Sequence, residues 1–294
     1  GRAYARALGA HGARVVVNDV DAGAPAAGRP PAAEVVAREI RDAGGEAVAD
    51  LSSVLEADAV IETAVAAFGT VDIVVNNAGV STPTPFERAT ASDDERVMAV
   101  NVHGSLRLAR AAWPYLLMSR APSILNISST GAFGASNVMY GTAKAAVIGL
   151  TKNLALIGRR EANVIRVNAI MPQAWTPMSA NSPDPALRRL MEQHFRPEQV
   201  AAFATWLCHP ACQLSGEIFS VGGGRVARVV MGVTRGVVAR DSGPESFTGA
   251  VDALITTEGL FLPDSGGAEF FHAIGELGLG LPETEQGPEQ GPPR

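Results

Sequence analysis

The sequence predicts an α/β fold with a doubly wound parallel sheet that carries helices on both faces. One observation is a series of short apolar runs, rich in β-branched residues, of the kind found in strands buried on both sides. The other is that the longer segments between them repeat apolar residues every three or four positions, as amphipathic helices do. Strands that alternate with helices form βαβ units with right-handed crossovers, which build a parallel sheet. The runs lie at 13–19, 46–50, 71–79, 123–129, 164–170 and 217–223.

Residues 1–20, GRAYARALGAHGARVVVNDV, predict a helix that begins at Gly1 and a strand that ends at Asp19. A helix that begins on glycine, followed by a strand ending in an acidic residue, is the second half of a Rossmann dinucleotide-binding unit. The first half of that unit is a strand and a glycine-rich phosphate loop. We therefore expect a Rossmann-like sheet whose first, central strand is missing, so that two strand edges stay unpaired.

The next segments predict a loop and a succession of helices. The loop 21–32 is rich in Gly, Pro and Ala and is expected to be mobile. Helical spacing of apolar residues recurs at 32–44, 54–69, 98–113 and 139–156.

The alternation of strands and helices stops near residue 224, so we predict a Rossmann domain over 1–224. Residues 225–274 are expected to form a C-terminal extension. The tail 275–294 is rich in Gly, Pro and Glu and poor in core-forming residues, which predicts disorder.

Charge and cysteine content argue against several kinds of partner. The formal net charge is −6, whereas nucleic acids and anionic membranes bind basic surfaces. No apolar run is long enough to span a bilayer, and no secretory signal pattern is present. The two cysteines, Cys208 and Cys212, give no disulfide framework, so we expect a cytoplasmic protein. They flank His209 at the end of an apolar helix, where buried structural cysteines are common, and we expect no metal site.

Tyr140 and Lys144 carry the clearest chemical signal. They are four positions apart in a predicted helix, so they share one face. A free tyrosine has a pKa of about 10 and is a poor acid–base catalyst at neutral pH. An ammonium group beside it favours the phenolate, which turns an ordinary tyrosine into a candidate general acid/base.

Polar residues also follow two of the predicted strands. Ser128 and Ser129 end one strand, and Asn77, Ala78 and Gly79 end another. The carboxyl ends of parallel strands are where ligands bind in open α/β sheets. A serine hydroxyl there is placed to hydrogen-bond a substrate oxygen, while Ala and Gly allow a flat ligand to approach closely.

These motifs, together with Asn101 in the helix that follows N-N-A-G, resemble the short-chain dehydrogenase/reductase family over residues 1–224. The resemblance implies that Tyr140 is the general acid/base and that Lys144 holds the ribose of a nicotinamide cofactor and favours the phenolate. It implies that Ser129 polarises the reacting oxygen and that Asn101 anchors a proton-relay water. The segment between Ser129 and Tyr140 is shorter than is usual in the family, so Ser128 stays open as the alternative serine.

The same resemblance implies the cofactor contacts. Asp19 would accept the adenosine ribose hydroxyls and repel the 2′-phosphate of NADP, which favours NAD over NADP. Pro172 would bound the nicotinamide, and Thr176 would bond its carboxamide or the pyrophosphate. Gln173 stands where the family usually has glycine. The full set of implied cofactor-binding residues is Gly1, Asp19, Asp50, Leu51, Ser52, Asn77, Ala78, Gly79, Tyr140, Lys144, Pro172 and Thr176.

Longer stretches, RAAWPYL and WLCHPACQLSGEIFSVGGG among them, resemble a subgroup of this family, the (3R)-hydroxyacyl-CoA dehydrogenase domains of multifunctional enzymes. This implies oxidation of a 3-hydroxyacyl-CoA. The alternatives are a steroid or other hydrophobic ketone as substrate, or a truncated and inactive chain. A flexible lid is implied at 175–196, and a homodimer or homotetramer through helices at 92–119 and 138–159.

Overall fold

The computed structural model describes residues 1–20, 29–82, 84–176, 184–238, 247 and 250–278. The chain divides into two units, Gly1–Val229 and the residues from Val230 onward. The first unit has a mostly parallel sheet with helices packed on it, so the predicted α/β class is confirmed. It extends slightly beyond residue 224 because a strand at Arg225–Val229 pairs antiparallel with the strand before it.

The sheet of the first unit has two separate pieces. Its described strands are β1 (Arg14–Asn18), β2 (Glu46–Asp50), β3 (Ile73–Asn76), β4 (Ser123–Ile127), β5 (Arg166–Gln173), β6 (Ile218–Gly222) and β7 (Arg225–Val229). β1 and β2 pair in parallel as one piece. The other piece has the order β3-β4-β5-β6-β7, parallel as far as β6. The sequence predicts the first six strands, and for the segment that begins at residue 225 it allows either a strand or a helix.

In the part of the chain that the structure describes, no strand lies between β1 and β3. One edge of each is therefore unpaired, in agreement with the expectation from the sequence. Helices join the two pieces of sheet instead, and the first and third helices along the chain both pack against β1.

Eight helices pack around this sheet in the described residues. They are α1 (Arg2–Ala10), α2 (Ala32–Asp42), α3 (Ala57–Phe68), α4 (Ala91–Met98), α5 (Ser105–Met118), α6 (Val138–Gly158), α7 (Pro185–His194) and α8 (Pro197–Cys208). A π-helical segment, Ala99–Gly104, joins α4 to α5. The predicted helix over 98–113 is therefore present, and it contains a wider, π-helical segment around Asn101.

The two faces of the sheet pack against different helices. Leu125 and Ile170 belong to a core that also contains Leu207 of α8. On the opposite face, Met171 packs with Ile148 of α6. Tyr140 and Lys144, which belong to α6, therefore lie on this second face of the sheet.

Two glycines of α6 are expected to respond to alanine in opposite ways. A Cβ at Gly158 would lie 2.3 Å from the carbonyl oxygen of Ile165, whereas a Cβ at Gly149 would meet nothing within 4 Å. Gly158→Ala should lower the free energy of unfolding by about 2 kcal/mol because the backbone must move. Gly149→Ala should leave it unchanged or raise it by up to about 1 kcal/mol. Urea denaturation measures both, and equal effects would contradict the packing described here.

The second unit contains two described helices, α9 (Val251–Ile255) and α10 (Gly266–Glu276). An isolated bridge joins Val233 to Phe261, and the Phe261 ring stacks on His272 with centroids 4.0 Å apart. The disordered tail was predicted to begin at residue 275. Its start is corrected, because Glu276 is the last residue of α10, and 279–294 lie outside the described residues.

Some predictions lie wholly or partly outside the described residues, namely the loop over 21–28 and the lid over 177–183. Where the structure does describe the chain, no helix combines the length and the hydropathy needed to cross a membrane. Among the same residues, no three His, Cys, Asp or Glu side chains are grouped as metal ligands. Cys208 and Cys212 are both buried free thiols.

Candidate active site

The candidate site forms where β3, β4 and β5 end and α6 begins. Asn137 caps α6: its side-chain oxygen accepts a hydrogen bond of 3.1 Å from the backbone N–H of Tyr140. The amide of Asn137 also donates to the Thr82 carbonyl, in the segment after β3. The cap thus fixes the first turn of α6, and with it Tyr140, against the carboxyl edge of the sheet.

Lys144 is buried behind Tyr140 and is 4% exposed. Its Nζ donates to the carbonyl of Ile127 at the end of β4, at 2.8 Å. The same Nζ lies 5.7 Å from the centre of the Tyr140 ring. Burial lowers the pKa of Lys144 to about 8. A cation beside the phenol is the arrangement that the Y-x-x-x-K spacing predicts.

The two strand-end serines have different surroundings. The hydroxyl of Ser128 is buried and donates to the backbone carbonyl of Lys144 at 2.7 Å. The oxygen of Ser129 accepts from the Gly131 N–H at 3.1 Å. A Cβ at Gly131 would lie 3.4 Å from that oxygen and 3.6 Å from the Tyr140 ring. Ser129 and Tyr140 therefore border the same glycine, whereas the hydroxyl of Ser128 is committed to the backbone.

Asn101 lies within the π-helical segment and is 1% exposed. Its amide donates to the carbonyls of Val80 and Val97, at 2.8 and 2.9 Å. Among the described residues its side-chain oxygen has no hydrogen-bond partner. A Cβ at Gly79 would lie 2.6 Å from that oxygen and 3.2 Å from Nζ of Lys144. An unpaired acceptor and a buried ammonium thus converge on Gly79.

A buried polar network under the site was missed by the sequence reasoning. The amide of Asn76 donates to Asn126 at 2.8 Å, and the amide of Asn126 donates to the Thr151 hydroxyl at 2.9 Å. The network ties β3, β4 and α6 together directly beneath Asn77 and Ile127. Its sequence signal is an asparagine inside each of two otherwise apolar strands.

One cavity of about 1250 Å³ connects most of the predicted residues. The cavity also extends along α1 and the end of α2, so its volume is larger than that of the space around Tyr140 alone. Apolar residues of α7, Leu187, Leu190 and Met191, form part of its wall. The predicted residues that line it are Gly1, Asn77, Gly79, Ser129, Tyr140, Lys144, Pro172 and Thr176, and the alternative serine, Ser128, lines it as well. The space and the unpaired oxygen of Asn101 behind Gly79 fit the reacting end of a nicotinamide cofactor.

The predicted adenosine contacts, Asp19, Asp50, Leu51 and Ser52, are not among the residues that line this cavity. The N–H of Asp19 donates to the carbonyl of Asp50, which places both at the ends of β1 and β2. The side chain of Asp50 is buried and accepts from Asn18 and Thr63, each at 2.7 Å. Leu51, in contrast, is 50% exposed.

A family model described as enoyl-(acyl carrier protein) reductase matches residues 1–225. The chain belongs to the short-chain dehydrogenase/reductase family, and it is an enzyme of that type.

Among individual proteins, the chain is similar to peroxisomal multifunctional enzyme type 2 of Mus musculus. The two are 36% identical over 245 residues, which is 82% of this chain and 32% of the mouse protein. The structure of full-length multifunctional enzyme type 2 from Drosophila melanogaster superposes with a TM-score of 0.77 and 27% identity. That match covers 94% of this chain and 47% of the fly chain. The chain therefore spans about a third to a half of these relatives.

A solved 7α-hydroxysteroid dehydrogenase, complexed with NADH and 7-oxo glycochenodeoxycholic acid, is also similar. Its TM-score is 0.67 at 32% identity, over 76% of this chain and 89% of that one. The resemblance to the short-chain family is therefore confirmed, and the relatives include oxidoreductases.

Proposed function

We propose that the chain is an NAD-dependent oxidoreductase that interconverts a secondary alcohol and a ketone, with a 3-hydroxyacyl-CoA as the substrate. The observation that carries the proposal is the meeting of Ser129, Tyr140 and Lys144 in one large cavity at the sheet edge. Asn101 stands directly behind it, next to Gly79.

In the proposed mechanism, Tyr140 exchanges a proton with the substrate oxygen while the Ser129 hydroxyl holds that oxygen by a hydrogen bond. The buried ammonium of Lys144 favours the phenolate, which takes the proton of the alcohol during oxidation and forms again during ketone reduction. The unpaired oxygen of Asn101 is an acceptor beside Lys144 and can take part in moving the proton onward. A bound nicotinamide cofactor would supply the hydride chemistry.

The preference for NAD is supported by Asp19 at the end of β1. A carboxylate in that position accepts ribose hydroxyls and repels a 2′-phosphate. The similar 7α-hydroxysteroid dehydrogenase was solved with NADH, which supports a nicotinamide cofactor here.

The thioester substrate is supported by the resemblance of long stretches of this chain to hydroxyacyl-CoA dehydrogenase domains. The apolar side chains of α7 in the cavity wall suit an acyl chain. They also suit a steroid, and the bile-acid ligand of the 7α-hydroxysteroid dehydrogenase favours that alternative.

The test is reduction of acetoacetyl-CoA against a panel of oxosteroids, each with NADH and with NADPH. We expect kcat/KM to be at least about tenfold higher for acetoacetyl-CoA than for any steroid. We also expect kcat/KM to be at least about tenfold higher with NADH than with NADPH. If the enzyme reduces oxosteroids but not acetoacetyl-CoA, the proposed substrate class changes from acyl thioesters to steroids.

Titration with NAD tests the cofactor part of the proposal directly: micromolar binding supports it, and no binding at millimolar NAD contradicts it.

We also propose a homodimer or homotetramer built on the helices at 92–119, which end with α5, and at 138–159, which form α6. Large apolar side chains on these helices are exposed, Met118 by 85% and Ile157 by 48%. For the compartment we propose the cytoplasm, since both cysteines are free thiols.

A further inference from the structure

Gln173 is the last residue of β5 and directly follows Pro172. Successive strand residues point to opposite faces, so Gln173 shares a face with Ala169 and Met171. Those two pack with Ala132, just after Ser129, and with Ile148 of α6. The side chain of Gln173 therefore belongs to the face of the sheet that carries Ser129 and Tyr140.

The amide of Gln173 is available to a ligand. The residue is half-buried and lines the same cavity as Ser129 and Tyr140. Its side chain makes no hydrogen bond with any residue in the described ranges. Its partner on β6 is Gly222, where a Cβ would lie only 2.6 Å from the Cβ of Gln173. The neighbouring strand thus leaves room for the glutamine side chain.

Of the other side-chain amides near the site, those of Asn101 and Asn137 are already used, whereas Asn77 lines the same cavity without a side-chain hydrogen bond in the described residues. Asn101 donates to two backbone carbonyls, and Asn137 donates to the carbonyl of Thr82. Among the described residues, neither the donor nor the acceptor of the Gln173 side chain has a hydrogen-bond partner. A half-buried amide without a protein partner is stabilised when a polar group of a bound ligand hydrogen-bonds to it.

We propose that Gln173 determines substrate specificity by donating a hydrogen bond from Nε2 to a second carbonyl of the substrate, the thioester oxygen. Ser129 and Tyr140 hold the reacting oxygen at the same time. This inference rests on the proposed function, in which the substrate is a 3-hydroxyacyl or 3-oxoacyl thioester. Such a substrate carries its two oxygens two carbons apart, whereas a simple ketone offers only one.

The test compares acetoacetyl-CoA with a simple ketone, cyclohexanone, in the wild type and in Gln173→Leu. For acetoacetyl-CoA we expect KM to rise about tenfold with kcat little changed, since the hydrogen bond forms equally in ground and transition states. For cyclohexanone we expect no change. Gln173→Asn, which keeps a shorter amide, should give a smaller rise in KM. Gln173→Glu should give a larger one, because a carboxylate repels the thioester oxygen.

The matched control is Gln213→Leu, which removes an exposed glutamine whose amide donates to the Pro210 carbonyl at 3.2 Å. It should leave both substrates unaffected. An equal loss on both substrates in Gln173→Leu, or an unchanged KM for acetoacetyl-CoA in all three Gln173 variants, would overturn the inference while the proposed function stands. If the wild type reduces cyclohexanone but no thioester, the proposed substrate and this inference fall together.

Discussion

Tyr140→Phe is expected to lower kcat by about a thousandfold, because the variant has no proton to exchange with the substrate oxygen. The aromatic ring and its contacts remain, so the loss should fall on the chemical step and leave KM nearly unchanged. Steady-state kinetics with the substrate identified by the panel measure this directly.

The ring of Tyr140 is also part of the packing around Gly131, so folding must be checked separately. The midpoint of urea denaturation should stay the same as in the wild type, and so should the affinity for NAD. A kcat within about tenfold of the wild type would exclude Tyr140 as the acid/base, because a positioned proton donor contributes at least about a hundredfold.

Lys144→Met is expected to lower kcat by about a hundredfold and also to change how stability depends on pH. Burial lowers the pKa of Lys144 to about 8 from an ordinary value of 10.5. Below pH 8 both the folded and the unfolded chain hold the proton, and the folded chain bears the full cost of a buried ammonium. Between about pH 8 and 10.5 the unfolded chain binds more protons, so the free energy of unfolding rises with pH.

The expected rise from this one group is about 3 kcal/mol. It should be present in the wild type and absent from Lys144→Met when urea denaturation is followed from pH 7 to 10. Lys152→Met removes a lysine from the same helix outside the cavity and should keep the wild-type rise. Parallel pH profiles for wild type and Lys144→Met would show that Lys144 is not held as a buried ammonium.

Much of the fold was predictable because apolar patterning is a local signal. The run at 123–129 became β4, which is buried at every position, and the spacing at 139–156 became α6. The first and last residues of these elements are harder to predict, because they depend on single capping side chains. Asn137, for example, caps α6 by accepting a hydrogen bond from the N–H of Tyr140. The sequence did not distinguish a strand from a helix at β7, because its residues are largely exposed and form no run of buried apolar positions.

The candidate site was predictable to the extent that it depends on spacing. Tyr140 and Lys144 meet because four residues make about one helical turn. The choice between Ser128 and Ser129 was not predictable, because it depends on where each hydroxyl points after the strand has ended. The bond between Asn76 and Asn126 joins residues far apart in sequence and follows from the register of β3 and β4.

The π-helical segment shows the limit of local reasoning most clearly. The apolar spacing at 98–113 predicts a helix but not its π-helical segment, although asparagine is a mediocre helix former. The form of that segment depends on Val80, whose carbonyl accepts from the Asn101 amide. Since Val80 reaches Asn101 only in the folded chain, the widened turn and its unpaired oxygen required the structure.

The division of the sheet between β1 and β3 has a mechanical consequence. The residues predicted for the adenosine end lie on one piece of sheet, and those for the reacting end lie on the other. No ladder of hydrogen bonds between described strands transmits force from one piece to the other; the packing of α1 and α3 does so instead. A dinucleotide that contacts both groups of residues would link the two pieces of sheet, and its binding is expected to raise the free energy of unfolding of the whole unit.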